Sequence, residues 1–177
     1  QQVPDKPLPY PWETCMTIND NWGFQSFDDN WKSPQTLIRT LVDIASKGGN
    51  LLLNVGPTSQ GEIPFESVAR LREMGQWMRV NGEAIYGTTA SRYGKPPWGR
   101  YTTKAGVTYA HVFDWPKNGK LLLSGVKDAP AQAYLLADHK PLAIAATDSG
   151  VVVTLPRNAP SSIASVVTLV GGSQGRR

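Results

Sequence analysis

Between Asn19 and Trp31 the sequence sets four aromatic rings, Trp22, Phe24, Phe27 and Trp31, among polar residues that include Asp28 and Asp29. Aromatic faces stack on the apolar C–H faces of sugars and equally fill cores, so the rings alone leave both uses open. Asp28 and Asp29 read as solvated or helix-capping carboxylates in preference to a catalytic pair. Cys15 is the single cysteine. Inside a β-prone run it reads as a small buried hydrophobe in preference to a nucleophile, and alone it can form neither an intrachain disulfide nor a cysteine zinc cage. His111 and His139 are too few and too far apart to suggest a metal site. No metal and no cofactor is expected.

The elements that must position these groups follow from the pattern. Four prolines, Pro4, Pro7, Pro9 and Pro11, make the start an extended surface segment. Residues 14–18 read as a short buried strand, and the aromatic loop follows. Ser33 and Pro34 start a helix as N-cap hydroxyl and first-turn proline, with Leu37, Ile38, Leu41, Val42 and Ala45 at helical spacing. Lys47, Gly48 and Gly49 close it with a cation and a left-handed cap. The apolar run 50–56 predicts a strand buried on both faces, as in a parallel sheet. A second helix is expected over 64–81, with Val68, Leu71, Met74 and Met78 on one stripe.

Strand, loop, helix, strand, loop, helix is two βα units with a parallel crossover, and two units cannot close a barrel. Beyond Gly87 the grammar changes. A linker spans 91–99, and short β-prone runs follow at 107–113, 120–124, 132–137, 142–146, 151–155 and 163–170, separated by turn formers such as Asn118-Gly119 and Ser149-Gly150. This spacing predicts a small antiparallel β-sandwich, which gains by leaning on a neighbour. The fold class is thus α/β followed by all-β, divided into residues 1–90 and 91–177.

The chain has 177 residues, 40% hydrophobic and 18% charged, the composition of a globular protein. Its net charge of +4 comes from scattered Lys and Arg, with Arg176 and Arg177 the only adjacent basic pair, so no nucleic-acid partner is expected. No stretch is apolar enough over the roughly 18 residues of a membrane span, and no membrane partner is expected. The start has no signal-peptide pattern and no initiator Met, and the expectation is a chain that begins inside a longer polypeptide or after processing.

Several stretches carry a resemblance. They are Trp12-Glu13-Thr14-Cys15-Met16-Thr17-Ile18-Asn19, Asn21-Trp22-Gly23-Phe24, the run 41–50 from Leu41-Val42-Asp43 to Gly48-Gly49-Asn50, Leu52-Leu53-Asn54-Val55-Gly56-Pro57-Thr58, Gly61-Glu62-Ile63-Pro64 and Asn81-Gly82-Glu83-Ala84-Ile85-Tyr86-Gly87. In this order they resemble the C-terminal catalytic segment of the α-L-fucosidases of glycoside hydrolase family 29. The resemblance is specific over 12–87; over 98–172 it rests on the expected appended sandwich.

It implies the terminal βα units of a TIM-like (β/α) barrel and a retaining exo-enzyme that releases terminal α-L-fucose from fucosylated oligosaccharides or glycoconjugates. The nucleophilic Asp and the acid/base residue are then expected upstream of this chain, on barrel polypeptide supplied in cis or as a companion chain. Glu13 occupies the acidic position of the family's Trp-Glu-x-Cys signature, although Pro7 and Pro11 stand where that signature usually carries Leu and Lys. Acid/base chemistry and an orienting role without proton transfer both stay open for Glu13. Trp22 matches the aromatic that faces the C6 methyl of fucose, and Asn54 falls near the catalytic end of its strand or makes a structural hydrogen bond. Phe24, Phe27 and Trp31 fit an aglycone subsite or a cover over the barrel rim. A homo-oligomer is left open, and the resemblance implies a secreted, periplasmic or lysosomal setting. The rival readings are a noncatalytic carbohydrate-binding sandwich, holding sugar through Trp98, Tyr101, Tyr109 or Trp115, and a structural module without ligand.

Overall fold

A computed structural model describes residues 2–126 and 129–171; Arg176 and Arg177 lie outside them. The chain is a mixed helix and sheet structure with two α-helices and three sheets among the described residues. The first sheet is a parallel pair, β1 (Glu13–Thr17) and β2 (Asn50–Asn54), joined through helix α1 (Pro34–Ser46). Helix α2 (Phe65–Asn81) packs beside α1 and runs into a 3-10 turn over Gly82–Ala84. Eight antiparallel strands follow: β3 (Thr89–Ala90), β4 (Gly99–Lys104), β5 (Val107–Val112), β6 (Lys120–Ser124), β7 (Gln132–Leu135), β8 (Ile144–Thr147), β9 (Gly150–Thr154) and β10 (Ser165–Val170). They form a five-stranded sheet ordered β3-β4-β5-β10-β7 and a three-stranded sheet ordered β6-β9-β8.

Local signals decide the first helix. Ser33 Oγ accepts the Thr36 amide at 3.1 Å, Pro34 opens the first turn, and Gly48 takes φ +76° so that its N–H and that of Gly49 return to the carbonyls of Ala45 and Ile44. Gly49 matters for a second reason. A Cβ there would lie 2.4 Å from the Trp12 indole, so only glycine lets the chain leave α1 and enter β2 against that ring.

The five-stranded sheet is covered on both faces at its central strands β5 and β10, and alternation assigns their side chains to one of two cores. Tyr101, Ala110, Val112, Leu135, Val167 and Leu169 meet Leu121, Leu123, Val151 and Val153 of the three-stranded sheet. On the opposite face Tyr109 and Val166 meet Leu37, Ile38, Val42, Met74 and Trp77 of the two helices. Polar groups seal this second contact. Trp77 Nε1 donates to the Ala164 carbonyl at 2.8 Å, Arg39 donates to the carbonyls of Ile163 and Phe113 at 3.0 and 2.7 Å, and Tyr109 OH donates to Glu83 at 2.7 Å. Asp43 of α1 takes Lys47 Nζ at 2.6 Å and Arg100 Nε from β4. Burial alone would raise the Asp43 carboxyl, but these two hydrogen-bonded cations outweigh it and hold the group below its ordinary range.

Three expectations are corrected. β2 is not buried on both faces: Leu52 is 51% exposed, because helices cover one side of the pair and, away from the Thr17 end where the aromatic loop folds over, no described residue covers the other. Cys15, opposite Leu52 on that same face, is exposed and not a core hydrophobe. In α2 the buried stripe runs through Ser67, Met74, Trp77 and Asn81, while Leu71 is 40% exposed. No helix among the described residues is long and apolar enough to cross a membrane.

Candidate functional site

The aromatic loop leaves β1 at Ile18 and returns at Lys32, whose amide donates to the Ile18 carbonyl at 2.8 Å. Lys32 Nζ donates to the Asn19 carbonyl at 2.7 Å, and Thr17 Oγ1 donates to that same carbonyl. Arg70 reaches from α2 to fix the exit, its Nε donating to the Lys32 carbonyl at 2.8 Å while its guanidinium lies 5.5 Å from the Trp31 ring centroid. Trp31 therefore belongs to the packed base of the loop. Trp22, Phe24 and Phe27 stay outside, 51%, 42% and 78% exposed.

Asp28 caps no helix; Ser33 holds that position. Its carboxylate instead ties the loop together, accepting the amides of Asp20 and Asn21 and the Asn21 side chain on Oδ2, and the Asn30 amide on Oδ1. The hydrogen bond from the Asn21 side chain is the chief reason the Asp28 carboxyl sits below its ordinary range.

The loop is latched onto the end of β2. Asn54 Nδ2 donates to the Trp22 carbonyl at 2.7 Å, and two residues on Gly56 lets the chains touch: a Cβ there would stand 2.7 Å from the Phe24 nitrogen and 2.8 Å from the Gly23 carbonyl carbon. Both are main-chain atoms. Gly56→Ala is therefore expected to push the loop off β2 and to cost about 2 kcal/mol in chemical denaturation; a variant as stable as the parent would show that the latch is loose. Beneath the loop, among Ile18, Asn19, Phe24, Trp31, Asn54 and Ser67, lies a cavity of about 10 Å³. That is room for one water, not for a sugar; the exposed rings of Trp22, Phe24 and Phe27 lie on the outer side of the loop.

Of the three residues nominated from sequence, two meet. Trp22 and Asn54 are joined directly at the C-terminal end of the parallel pair. Glu13 pairs across with Asn50 at the other end, whereas Asn54 pairs with Thr17, four residues further along, roughly 13 Å away at the rise of a strand. Glu13, Cys15 and Thr17 alternate onto one face with Asn50, Leu52 and Asn54. Thr17 is buried at the end where the loop folds over, in contact with Asn19 and Lys32. Lys32 and Gly56 were not singled out by sequence reasoning, which reads Asp28 as a solvated or helix-capping carboxylate and not as the tie of the loop. Clustered Asn and Asp around residue 20 and residue 30 was the available signal for Asp28; the close approach at Gly56 had none.

The sandwich aromatics proposed as sugar holders are engaged in packing. Tyr101 and Tyr109 are buried, Trp98 lies edge-on to Tyr101 with its Nε1 donating to the Leu122 carbonyl at 3.0 Å, and Trp115 Nε1 donates to the Pro156 carbonyl at 2.9 Å. Among the described residues no three His, Cys, Asp or Glu side chains are grouped to hold a metal ion.

Comparison with known proteins bears on the whole chain. Residues 1–83 match the family model described as alpha-L-fucosidase, and residues 97–170 match the one described as alpha-L-fucosidase C-terminal domain. The plasma alpha-L-fucosidase of Rattus norvegicus is 40% identical over 161 residues, 85% of this chain and 35% of that protein. Among solved structures, alpha-L-fucosidase isoenzyme 1 from Paenibacillus thiaminolyticus superposes with a TM-score of 0.92 at 38% identity, over 98% of this chain and 44% of that one. The Thermotoga maritima alpha-fucosidase in complex with fucose gives 0.84 at 30% identity, over 92% and 41%. The chain thus spans about a third of the length of the curated relatives it matches. With two adjoining family models filled in order, and with helices and sheets superposing along nearly its full length, this chain belongs to the α-L-fucosidase family.

Proposed function

We propose that residues 1–90 supply the closing βα units of a (β/α) barrel and residues 91–177 a β-sandwich that braces it, in a retaining enzyme that releases terminal α-L-fucose from fucosylated oligosaccharides or glycoconjugates. The observation that carries this reading is the parallel pair β1 and β2, covered by helices on one face and bare on the other, with an aromatic loop latched at its C-terminal end. Barrel enzymes gather their sites at that end. Further strands, in cis or on a companion chain, would cover the bare face through Leu52 and Cys15.

Retaining hydrolysis needs two carboxyl groups about 5–5.5 Å apart, one to attack the anomeric carbon and one to protonate the leaving oxygen. Glu13 stands at the far end of its strand from Trp22, so the reading assigns it an orienting role and takes both reacting carboxylates from the upstream polypeptide. Trp22 then offers an apolar wall to the C6 methyl of fucose, worth on the order of 1–3 kcal/mol against a sugar with a polar group there. Asn54 holds the Trp22 backbone. Phe24 and Phe27 are left to border the leaving-group side.

The test is an assay of the purified 177-residue chain with a chromogenic α-L-fucoside, alone and together with the upstream barrel polypeptide. Hydrolysis is expected only in the combined sample. Turnover by the chain alone would overturn the assignment of both carboxylates to the missing part. The packing of Trp98, Tyr101, Tyr109 and Trp115 gives the carbohydrate-binding sandwich no supporting observation.

A further inference from the structure

Trp22 is held on both sides of its own backbone. On the carbonyl side, Asn54 Nδ2 donates at 2.7 Å. On the amide side stands Asn21, which gives both its backbone N–H at 3.0 Å and its side-chain Nδ2 at 2.7 Å to Asp28 Oδ2. The Asp20 amide joins the same oxygen at 3.1 Å, and the Asn30 amide reaches Oδ1 at 3.3 Å. One carboxylate thus gathers donors from both limbs of the loop. A second tie runs the opposite way, from Asn30 Nδ2 to the two Asp20 carboxylate oxygens at 3.1 and 2.9 Å.

Such an arrangement is demanding. Three donors converge on a single oxygen, which favours an ionised acceptor, since charge-assisted hydrogen bonds are roughly twice as strong as neutral ones. The base of the loop is fixed by Lys32 and Arg70, but around residue 22 the rings of Trp22, Phe24 and Phe27 are exposed, so the ties nearest Trp22 are those of Asn54 and Asp28 and the close approach at Gly56. Two anchors on either side of residue 22 therefore fix where its indole points, and only one of them, Asn54, lies on a strand.

We propose that Asp28 is a positioning residue for the sugar-facing wall: by gathering the amides of Asp20, Asn21 and Asn30 around its carboxylate, it sets the orientation of Trp22. The inference rests on the reading of Trp22 as a fucose contact, and it adds that the contact depends on a carboxylate that touches no substrate. A displacement of about 1 Å at a binding group can cost up to 100-fold, so removal of one of two anchors is expected to be measurable.

The experiment uses the complete enzyme with a chromogenic α-L-fucoside and compares Asp28→Ala, Asp28→Asn, Trp22→Ala and the double variant Trp22→Ala/Asp28→Ala. Asp28→Ala is expected to raise KM about tenfold with kcat changed by less than about threefold, at an unchanged melting temperature. Asp28→Asn keeps one acceptor oxygen for the crowded position but loses the charge and the acceptor facing Asn30, and is expected to recover part of the KM. If Asp28 acts through Trp22, the double variant is no worse than Trp22→Ala alone. A normal KM for Asp28→Ala beside an impaired Trp22→Ala overturns the positioning role and leaves the fucose wall standing. Losses that multiply in the double variant, or a lowered melting temperature with no recovery by Asp28→Asn, overturn it too. A normal KM for Trp22→Ala removes the wall itself and the inference with it.

Discussion

Replacing Gly99 with alanine is expected to cost the chain about 4 kcal/mol of stability, read as a lower denaturant midpoint at unchanged slope. Gly99 opens β4 and pairs with Val112 of β5. A Cβ at this position would fall 1.8 Å from the His111 carbonyl oxygen and 3.0 Å from its carbon. Both belong to the main chain, so no rotamer change relieves the overlap; the strands must part. Parting them loosens the Trp98 carbonyl, which accepts the amides of Phe113 and Asp114 at 2.8 and 3.2 Å, and draws Arg100 away from Asp43. The cost therefore spreads from the sheet to its contact with α1. A Gly99→Ala variant within about 1 kcal/mol of the parent would mean that β4 and β5 do not approach this closely.

That strand was also the least legible in the sequence. Residues 99–104 read Gly-Arg-Tyr-Thr-Thr-Lys, and without an apolar alternation they predict no strand, with Gly99 closing the linker before them. Their burial depends on partners far along the chain: Arg100 finds Asp43, and Thr102 finds Ala84 and His111. By contrast, α1 was readable because its cap, its first-turn proline and its closing glycine act within a few residues of one another. The six later runs were readable from apolar content, and each contains a strand displaced by at most a few residues. Degree of burial was harder to read than strand existence. β2 has the composition of a strand buried twice over and has one bare face, whereas β5 and β10 are the strands covered on both sides. Composition records what a segment tolerates, and the neighbours decide what it meets.

The candidate site was legible as a set of residue types and not as a geometry. Sequence spacing placed Trp22 in a loop and Asn54 late in a strand, but 32 positions separate them and only the fold shows the hydrogen bond between them. Glu13 looked equally close to the chemistry. A strand of five residues is enough to carry it to the opposite end of the sheet from Asn54. Of the sandwich aromatics weighed for sugar stacking, Tyr101 and Tyr109 lie in the two cores, while Trp98 and Trp115 pack partly buried at the edge of one of them.

Acid is expected to weaken the contact between the helices and the five-stranded sheet through one imidazole. His111 is fully buried on β5, its ring centroid 6.4 Å from that of Trp77. Thr102 Oγ1 gives its single proton to the Ala84 carbonyl at 2.7 Å, so His111 Nε2, 2.9 Å from the same oxygen, must be the donor in that pair. Nδ1 then carries a lone pair and has no hydrogen-bond partner among the described residues. Protonation would bury a charged N–H facing nothing that accepts it, and burial accordingly pushes His111 down to about 3, although the Ala84 carbonyl pulls weakly the other way. The sign follows from which state takes the proton first. Below the ordinary value of 6.5 the unfolded chain is protonated and the folded one is not, so stability present at neutral pH is lost as the pH falls, by about 1.4 kcal/mol per unit, until the folded value is reached. Asp43, held below its ordinary range, adds a loss in the same direction, but only under the carboxylate range. Urea titrations at neutral pH and at about pH 4.5 should therefore differ by roughly 2–3 kcal/mol. His111→Gln, which keeps a donor for Thr102 and cannot be protonated, should flatten that limb and leave the carboxylate loss intact. Equal stability at the two pH values, or the same decline in His111→Gln, would mean that the imidazole is not the acid-sensitive group at this interface.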